Sequence, residues 1–255
     1  MIHPSSIVDA KAIIHPSAII GPFCVIGADV EVGEGTELIS HVNFQGPTKI
    51  GARNRIFPFS AIGFEPQDTT FKGQRVTLEI GDDNLIRENV TISRGTEKGG
   101  GVTRIGSHTF IMAYAHIGHD CQVGDHCMLV NGATLAGHVI MEPWSVLGAF
   151  SAVHQFCRVG AHAYIGGGTI CTQDVLPYAK TSARRDAATF GINAIGLERR
   201  GFSKERVAAL QKAYKVIKRK NTTQALEELK QDSHPSEDVA TLIRFLEQSE
   251  RGIIR

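Results

Sequence analysis

Every sixth residue from Ile2 is apolar: Ile2, Val8, Ile14, Ile20, Ile26, Val32, Leu38, Phe44, Ile50, Ile56 and Ile62. The same phase returns at Ile80, Ile86 and Ile92. A second series, displaced by one residue, begins at Ile105. It passes through Ile111, Ile117, Val123, Leu129, Leu135, Met141, Leu147, Val153, Val159 and Ile165 to Cys171. An α-helix repeats near 3.6 residues and a plain strand near 2.0, so neither sustains a period of six. Four residues after each aliphatic comes a small or β-branched residue, such as Ala18, Cys24, Val30, Ala115, Cys121 or Ala133. Glycine often follows the aliphatic directly, as at Gly21, Gly27, Gly118, Gly124 and Gly148. The pattern predicts short strands, each ending at a corner, wound about a core too narrow for two large side chains per hexad.

Two stretches break the repeat. Residues 64–79 replace about one coil without changing its phase, and residues 93–104 carry the one-residue shift. Insertions of this kind leave a solenoid as loops, and such loops often carry function. The repeat fades near Pro177. Ser203 can cap a helix through about Arg219, with Val207, Leu210, Tyr214 and Ile217 at helical spacing. Two further helical stretches are expected near 223–231 and 236–249. The expected organisation is a repeat domain over 1–191 and a small helical domain over 192–255.

Composition narrows the function classes. The formal net charge is +1, so no global field points to nucleic acid. No run of about 18 apolar residues suggests a spanning helix, and no membrane insertion is expected. The N-terminal MIHPSSIVDA has no basic segment leading into an apolar one. A cytoplasmic protein is expected. Cys24, Cys121, Cys127, Cys157 and Cys171 are odd in number and contain no CxxC pair. They read as small core residues rather than a disulfide framework.

The tandem [LIV]-G-x4 pattern resembles the left-handed parallel β-helix of the hexapeptide-repeat acyltransferases. That resemblance implies three hexads per triangular coil, so residues 18 apart stack about 4.8 Å from each other. One column then holds His119, Gly137, Gln155 and Gln173. The next holds Asp120, His138 and Phe156, and a third His116, Thr134 and Ala152. A single corner histidine is most simply structural. Their clustering beside a carboxylate and a glycine is what points to chemistry. Acyl transfer to a hydroxyl needs a base, for which neutral histidine is suited. It also needs a donor aimed at the oxyanion, such as a glycine N–H, and a group that orients the base. No GxSxG or reactive-cysteine motif suggests a covalent intermediate, so direct attack on a thioester is expected.

A closer resemblance rests on AHIGHDC (115–121), LAGH (135–138), HQFCRVGAH (154–162) and RRGF (199–202). These segments resemble the UDP-N-acetylglucosamine 3-O-acyltransferases, and the likeness extends over nearly the whole chain. It implies transfer of a 3-hydroxyacyl chain from acyl carrier protein to UDP-N-acetylglucosamine, the first step of lipid A synthesis. It implies His119 as general base, Asp120 as its support and the Gly137 N–H as oxyanion donor. It places His116 and His138 along the cleft and Asp68 against the glucosamine. Gln155, Asn193, Arg199 and Arg200 would hold the uridine and diphosphate, for which the arginine fork is well shaped. Gly167 would mark the end of the acyl groove and leave room for a long chain. The resemblance also implies a homotrimer with sites between subunits. No metal or cofactor is expected, the acyl donor being carried on the phosphopantetheine of acyl carrier protein.

Three positions depart from that family's pattern. Thr70 stands where a lysine is usual, with Lys72 nearby as a substitute; Ser93 replaces a histidine; and Ile195 replaces a glutamate. These changes keep open a 3-amino analogue of UDP-N-acetylglucosamine as the acceptor. The later N-acyltransferase of lipid A synthesis is an alternative, but it carries an N-terminal domain before its repeats. An acetyl-CoA-dependent transferase remains possible on fold alone. A zinc-dependent carbonic anhydrase of the same fold would need three histidines, at spacings that 116/119 and 154/162 do not match. A non-catalytic structural trimer is the remaining class. Residues 199–220 carry nine Lys or Arg against the single acid Glu205. That stretch is either a solvated helix face or a docking surface for the acidic carrier protein.

Overall fold

The computed structural model describes residues 1–183 and 187–255. The hexads form a left-handed parallel β-helix of triangular section, followed by four helices. Its three faces are sheets of parallel strands, apart from the last strand of the third. The first face runs from Ile7–Val8 to Ile170–Cys171 in nine strands. The second runs from Ile13–Ile14 to Arg158–Val159 in eight, and the third starts at Ile19–Ile20 and has ten. Register follows the eighteen-residue coil: Ile7 pairs with Val25, His116 with Thr134, and Thr134 with Ala152.

Each hexad's aliphatic points inward and stacks on its equivalents. Leu38, Ile56, Ile86, Ile111, Leu129 and Leu147 are fully buried along one such column. Burying an aliphatic side chain of this size is worth about 1.5–3 kcal/mol, so the stack is the main source of cohesion. The small residue of each hexad fills the corner beside it. Cys24, Cys121, Cys127, Cys157 and Cys171 are buried free thiols, as their place in the repeat requires. Burial pushes Cys121 and Cys171 up to about 12 and Cys127 to about 11, so these thiols are not nucleophiles.

The first insertion adds residues and replaces no coil, contrary to the sequence reading. Ile62 pairs with Ile92, thirty residues on rather than eighteen, and Ile50 likewise with Ile80. The twelve extra residues equal two hexads, which is why the phase survives. After the second insertion Ile92 pairs with Ile117, twenty-five residues on. The seven extra residues there produce the one-residue shift.

The corners carry a regularity that the hexad pattern does not reveal. Residues such as Phe23, His41, Asp120, His126, His138, Trp144 and His162 adopt left-handed backbone, with φ between 51° and 66°. A β-carbon is disfavoured in that region. Ring stacking between coils offsets the cost. His108, His126, Trp144, His162 and Tyr178 form one ladder, its rings within 15° of parallel and 3.9–6.2 Å apart.

The solenoid ends in an antiparallel hairpin, Ala179–Ala183 with Ala187–Ile192, that extends the third face. The sequence reading did not anticipate it. The helices follow: α1 (Ala194–Arg199), α2 (Lys204–Arg219), α3 (Thr222–Leu229) and α4 (Glu237–Glu247). The α2 cap is Ser203, whose hydroxyl accepts from the Arg206 N–H. Phe202 packs edge-on against His162, with ring centres 5.0 Å apart, and the Tyr214 hydroxyl donates to the Pro177 carbonyl. Among the described residues, no helix is long and apolar enough to cross a membrane.

His162 joins the ladder to the helices. Burial first, then Arg200, depresses its imidazole to about 4. Below the ordinary histidine value of about 6.5, the unfolded chain takes up a proton that the folded chain refuses. Stability is therefore lost as pH falls from about 6.5 to about 4, and this contribution levels off below that. His116 and His138, lowered mainly by burial, act with the same sign. Thermal denaturation across this window should show a decline that His162→Gln makes shallower. An equal decline in the variant would remove His162 as a source.

Candidate active site

The site forms at the corner between the first and second faces. His116 begins a first-face strand that ends at Ile117, Gly118 begins the corner, and His119 and Asp120 turn it. One coil on, Gly137 and His138 occupy the equivalent places, tied back by the His138 N–H donating to the His119 carbonyl at 2.9 Å. The columns read from the sequence are thus real neighbours.

Asp120 is the electrostatic centre. Its carboxylate is fully enclosed. One oxygen, Oδ2, accepts from His119 Nδ1 at 2.8 Å and from the Thr96 hydroxyl at 2.6 Å. The other accepts from the Thr96 N–H at 2.7 Å. A carboxylate acceptor fixes the proton on His119 Nδ1 and leaves Nε2 free to receive one. His138 stands 3.6 Å from the same carboxylate and stacks on Phe156. Burial lowers its proton affinity, against the pull of Asp120. His116 is held by Thr91, 2.7 Å from its Nδ1, and is lowered by burial and then by His119. Both flanking histidines are therefore held neutral at neutral pH.

Gly137 has to be glycine. A β-carbon there would lie 2.6 Å from His119 Cε1 and 2.8 Å from Nε2. The imidazole rests directly on the backbone. Among the described residues the Gly137 N–H has no acceptor, which leaves it available beside the His119 ring.

The two insertions close over this corner. Asp68, in the first, accepts from the Thr70 N–H at 2.7 Å. Its carboxyl is held below the usual range by Thr70 first, with His119 and Lys98 adding to the effect. The cation that meets this loop is Lys98, 3.4 Å from the Thr70 hydroxyl. Lys72, the substitute expected from the sequence, is exposed in the same loop, its backbone N–H donating to Gln74 Oε1. Ser93 is buried in a strand beside Phe64. Sequence reasoning missed Thr91, Thr96, Thr103 and Lys98. All come from segments around the second insertion, where the eighteen-residue rule does not apply.

Other expected residues lie elsewhere. Gln155 is exposed in the same column as Gly137. Asn193, Arg199 and Arg200 line a groove of about 490 Å³ with Ile195, Gly196, Met128, Val146, Tyr164 and Lys180. That groove belongs to the third face, which the His119 corner does not touch. Asn193 caps α1, accepting from the Gly196 N–H and donating to the His162 carbonyl. Arg200 lies over Trp144, 5.4 Å from the ring centre, with Nη1 buried and unpaired. Gly167 sits exposed at the corner between the third and first faces, where a β-carbon would come no nearer than 3.2 Å to the Ala149 carbonyl oxygen.

One trio among the described residues could share a metal ion: His119, Asp120 and His138, with ligand atoms within 4.8 Å of one another. The hydrogen bonds already taken up by Asp120 fit an acid–base pair better. The geometry suits proton abstraction next to a free backbone donor.

Known proteins resemble this chain in sequence and fold. Residues 174–254 match the second-domain profile of the UDP-N-acetylglucosamine O-acyltransferases, and residues 103–137 match the bacterial transferase hexapeptide repeat. The chain is 42% identical to the LpxA enzyme of Acinetobacter baumannii, covering 100% of this chain and 99% of that one with a TM-score of 0.96. It is 44% identical to the UDP-N-acetylglucosamine acyltransferase of Francisella novicida, over 100% and 94% of the two chains, with a TM-score of 0.97. The LpxA enzyme of Bacteroides fragilis is 38% identical, with 100% of both chains covered and a TM-score of 0.96. These likenesses do not favour the amino-sugar reading drawn from Thr70, Ser93 and Ile195. By sequence and by fold, this chain belongs to the UDP-N-acetylglucosamine O-acyltransferase family of acyltransferases.

Proposed function

We propose that this chain transfers a 3-hydroxyacyl group from acyl carrier protein to the 3-hydroxyl of UDP-N-acetylglucosamine, the first step of lipid A synthesis, in the cytoplasm. The observation that carries the proposal is the His119 ring, held by Asp120 and laid against Gly137 with its free N–H. His119 Nε2 takes the hydroxyl proton as the sugar oxygen attacks the thioester carbonyl. Asp120 stabilises the imidazolium that forms. The Gly137 N–H donates to the oxyanion of the tetrahedral intermediate. Collapse expels the pantetheine thiolate, which takes the proton back from His119. No covalent enzyme intermediate is needed, in keeping with the buried thiols, and no metal or other cofactor takes part.

Neutral His116 and His138 line the cleft, and Asp68 contacts the glucosamine. Gln155, Asn193, Arg199 and Arg200 hold the uridine and diphosphate. Because the Arg200 groove lies on the third face, it reaches the His119 corner only from a neighbouring subunit. We therefore read the working form as a homotrimer. The third face offers an apolar stripe for such contact: Leu85, Phe110, Met128 and Val146, all half-buried in the single chain. Gly167 leaves the acyl groove open at its end, which suits a long chain.

Mass spectrometry of reactions with UDP-N-acetylglucosamine and 3-hydroxyacyl carrier proteins of several lengths tests the reading. A single acylated product is expected. His119→Ala should cut the rate by about 10²–10⁴. Gly137→Ala keeps the N–H but sets a β-carbon 2.6 Å from His119 Cε1, and the displaced ring should cost about 10²-fold in rate. No product from the wild type would overturn the reaction, and a fully active Gly137→Ala would overturn the need for His119 to rest directly on the backbone at residue 137.

The carrier protein is acidic, and α2 offers it a basic surface. Arg206 is tied to Asp238 and Lys220 to Glu228. Lys212, Lys215, Lys218 and Arg219 are exposed and, among the described residues, have no acidic partner. The carrier's KM should rise at least about threefold between low and high salt as screening removes the attraction. Lys215→Glu with Lys218→Glu should raise it at low salt while leaving the KM for the sugar nucleotide unchanged. A carrier KM indifferent to both would exclude this surface.

A further inference from the structure

We infer that Thr96, in the second insertion, is a positioning residue that sets the strength of the His119 base. This rests on the reading of His119 given above and extends it to a residue outside the repeat.

The hydroxyl of Thr96 has a fixed direction. It caps the short turn Glu97–Gly99, its oxygen accepting from the Gly99 N–H at 3.2 Å. Its single proton therefore goes to Asp120 Oδ2, 2.6 Å away. That is the same oxygen that accepts from His119 Nδ1 at 2.8 Å. The Thr96 N–H meets the other carboxylate oxygen at 2.7 Å. Thr96 thus grips Asp120 at both oxygens and shares one of them with the base. The grip is close because residue 99 is glycine. A β-carbon there would lie 2.0 Å from Asp120 Cγ. On the other side the Asp120 N–H donates to Thr103 Oγ1 at 2.8 Å. The insertion, with His119 and His138, leaves the carboxylate fully enclosed.

The charge on Oδ2 is divided between two donors. What Thr96 takes is unavailable to His119. Removing the hydroxyl turns the whole oxygen toward the imidazole and favours its protonated form. It also frees the carboxylate to rotate. The base is then free of its proton only at higher pH and is less well oriented.

The experiment compares wild type, Thr96→Val and Thr96→Ser by the pH dependence of kcat/KM, together with ¹⁵N-histidine NMR titration. Valine keeps the shape and the backbone N–H; serine keeps the hydroxyl. Thr96→Val should lower kcat at least about tenfold, with the KM for UDP-N-acetylglucosamine changed less than about twofold. Its acid limb should move up by about half a pH unit, and the His119 resonance should titrate with it. Thr96→Ser should restore both. Loss of activity with an unmoved acid limb and an unmoved His119 titration would mean a merely structural cap and overturn the inference. So would an unimpaired Thr96→Val, or a serine variant as poor as valine. If the wild type fails to acylate UDP-N-acetylglucosamine, the proposed reaction fails by itself. The NMR titration of His119 in the variant still decides the role of Thr96.

Discussion

The coil-to-coil register of the β-helix is the constraint from which the rest of the molecule follows. Each strand is only two to six residues long, too short to hold itself. Each is fixed by backbone bonds to the coil above and the coil below and by the stacked aliphatics inside. That register aligns equivalent corner residues of successive coils. Reactive groups can then be placed by counting along the chain. His119 and Gly137 meet because they are eighteen residues apart, and for no other reason. The same rule aligns His126, Trp144 and His162 into a ring ladder. Backbone bonds thus supply the preorganisation that a hydrogen-bonded pair needs to act as a base.

Regularity alone does not make the site. A repeat can supply a histidine, a carboxylate and a glycine, but it leaves the carboxylate at an open corner. The second insertion covers Asp120 and provides two hydrogen bonds that stabilise its charge there, while Thr103 holds its backbone N–H. An enclosed carboxylate without such donors would lose its charge. The first insertion brings Asp68 to the same corner, and the contact between Thr70 and Lys98 links the two loops. The scaffold fixes where His119 and Asp120 sit, and the loops fix their electrostatics.

The hexad period made the fold readable, and with it the pairing of His119 with Gly137 and of Asp120 with His138. Thr96, Lys98 and Thr103 were not readable, because an insertion has no register from which to count. For the same reason the first insertion was misjudged. Twelve residues and two hexads look alike in phase, and only the pairing of Ile62 with Ile92 separates them. The hairpin at Ala179–Ile192 and its Lys180 escaped because antiparallel pairing follows no sixfold spacing. The corner ladders could have been found. Aromatic and histidine residues recur at eighteen-residue intervals, one place before the small corner residue, and only their left-handed backbone needed the structure.

The His119 corner and the Arg200 groove lie on different parts of the same prism, and the proposed reaction therefore requires one site to draw on two chains. Subunit mixing tests this most directly. His119→Ala and Arg200→Ala proteins, each inactive alone, would be dissociated together, reassembled and assayed, with mass spectrometry confirming mixed oligomers. The account expects activity to reappear in the mixture, since some interfaces then pair an intact His119 corner with an intact Arg200 groove. Mixed oligomers no more active than either parent would contradict it and return the whole site to a single chain.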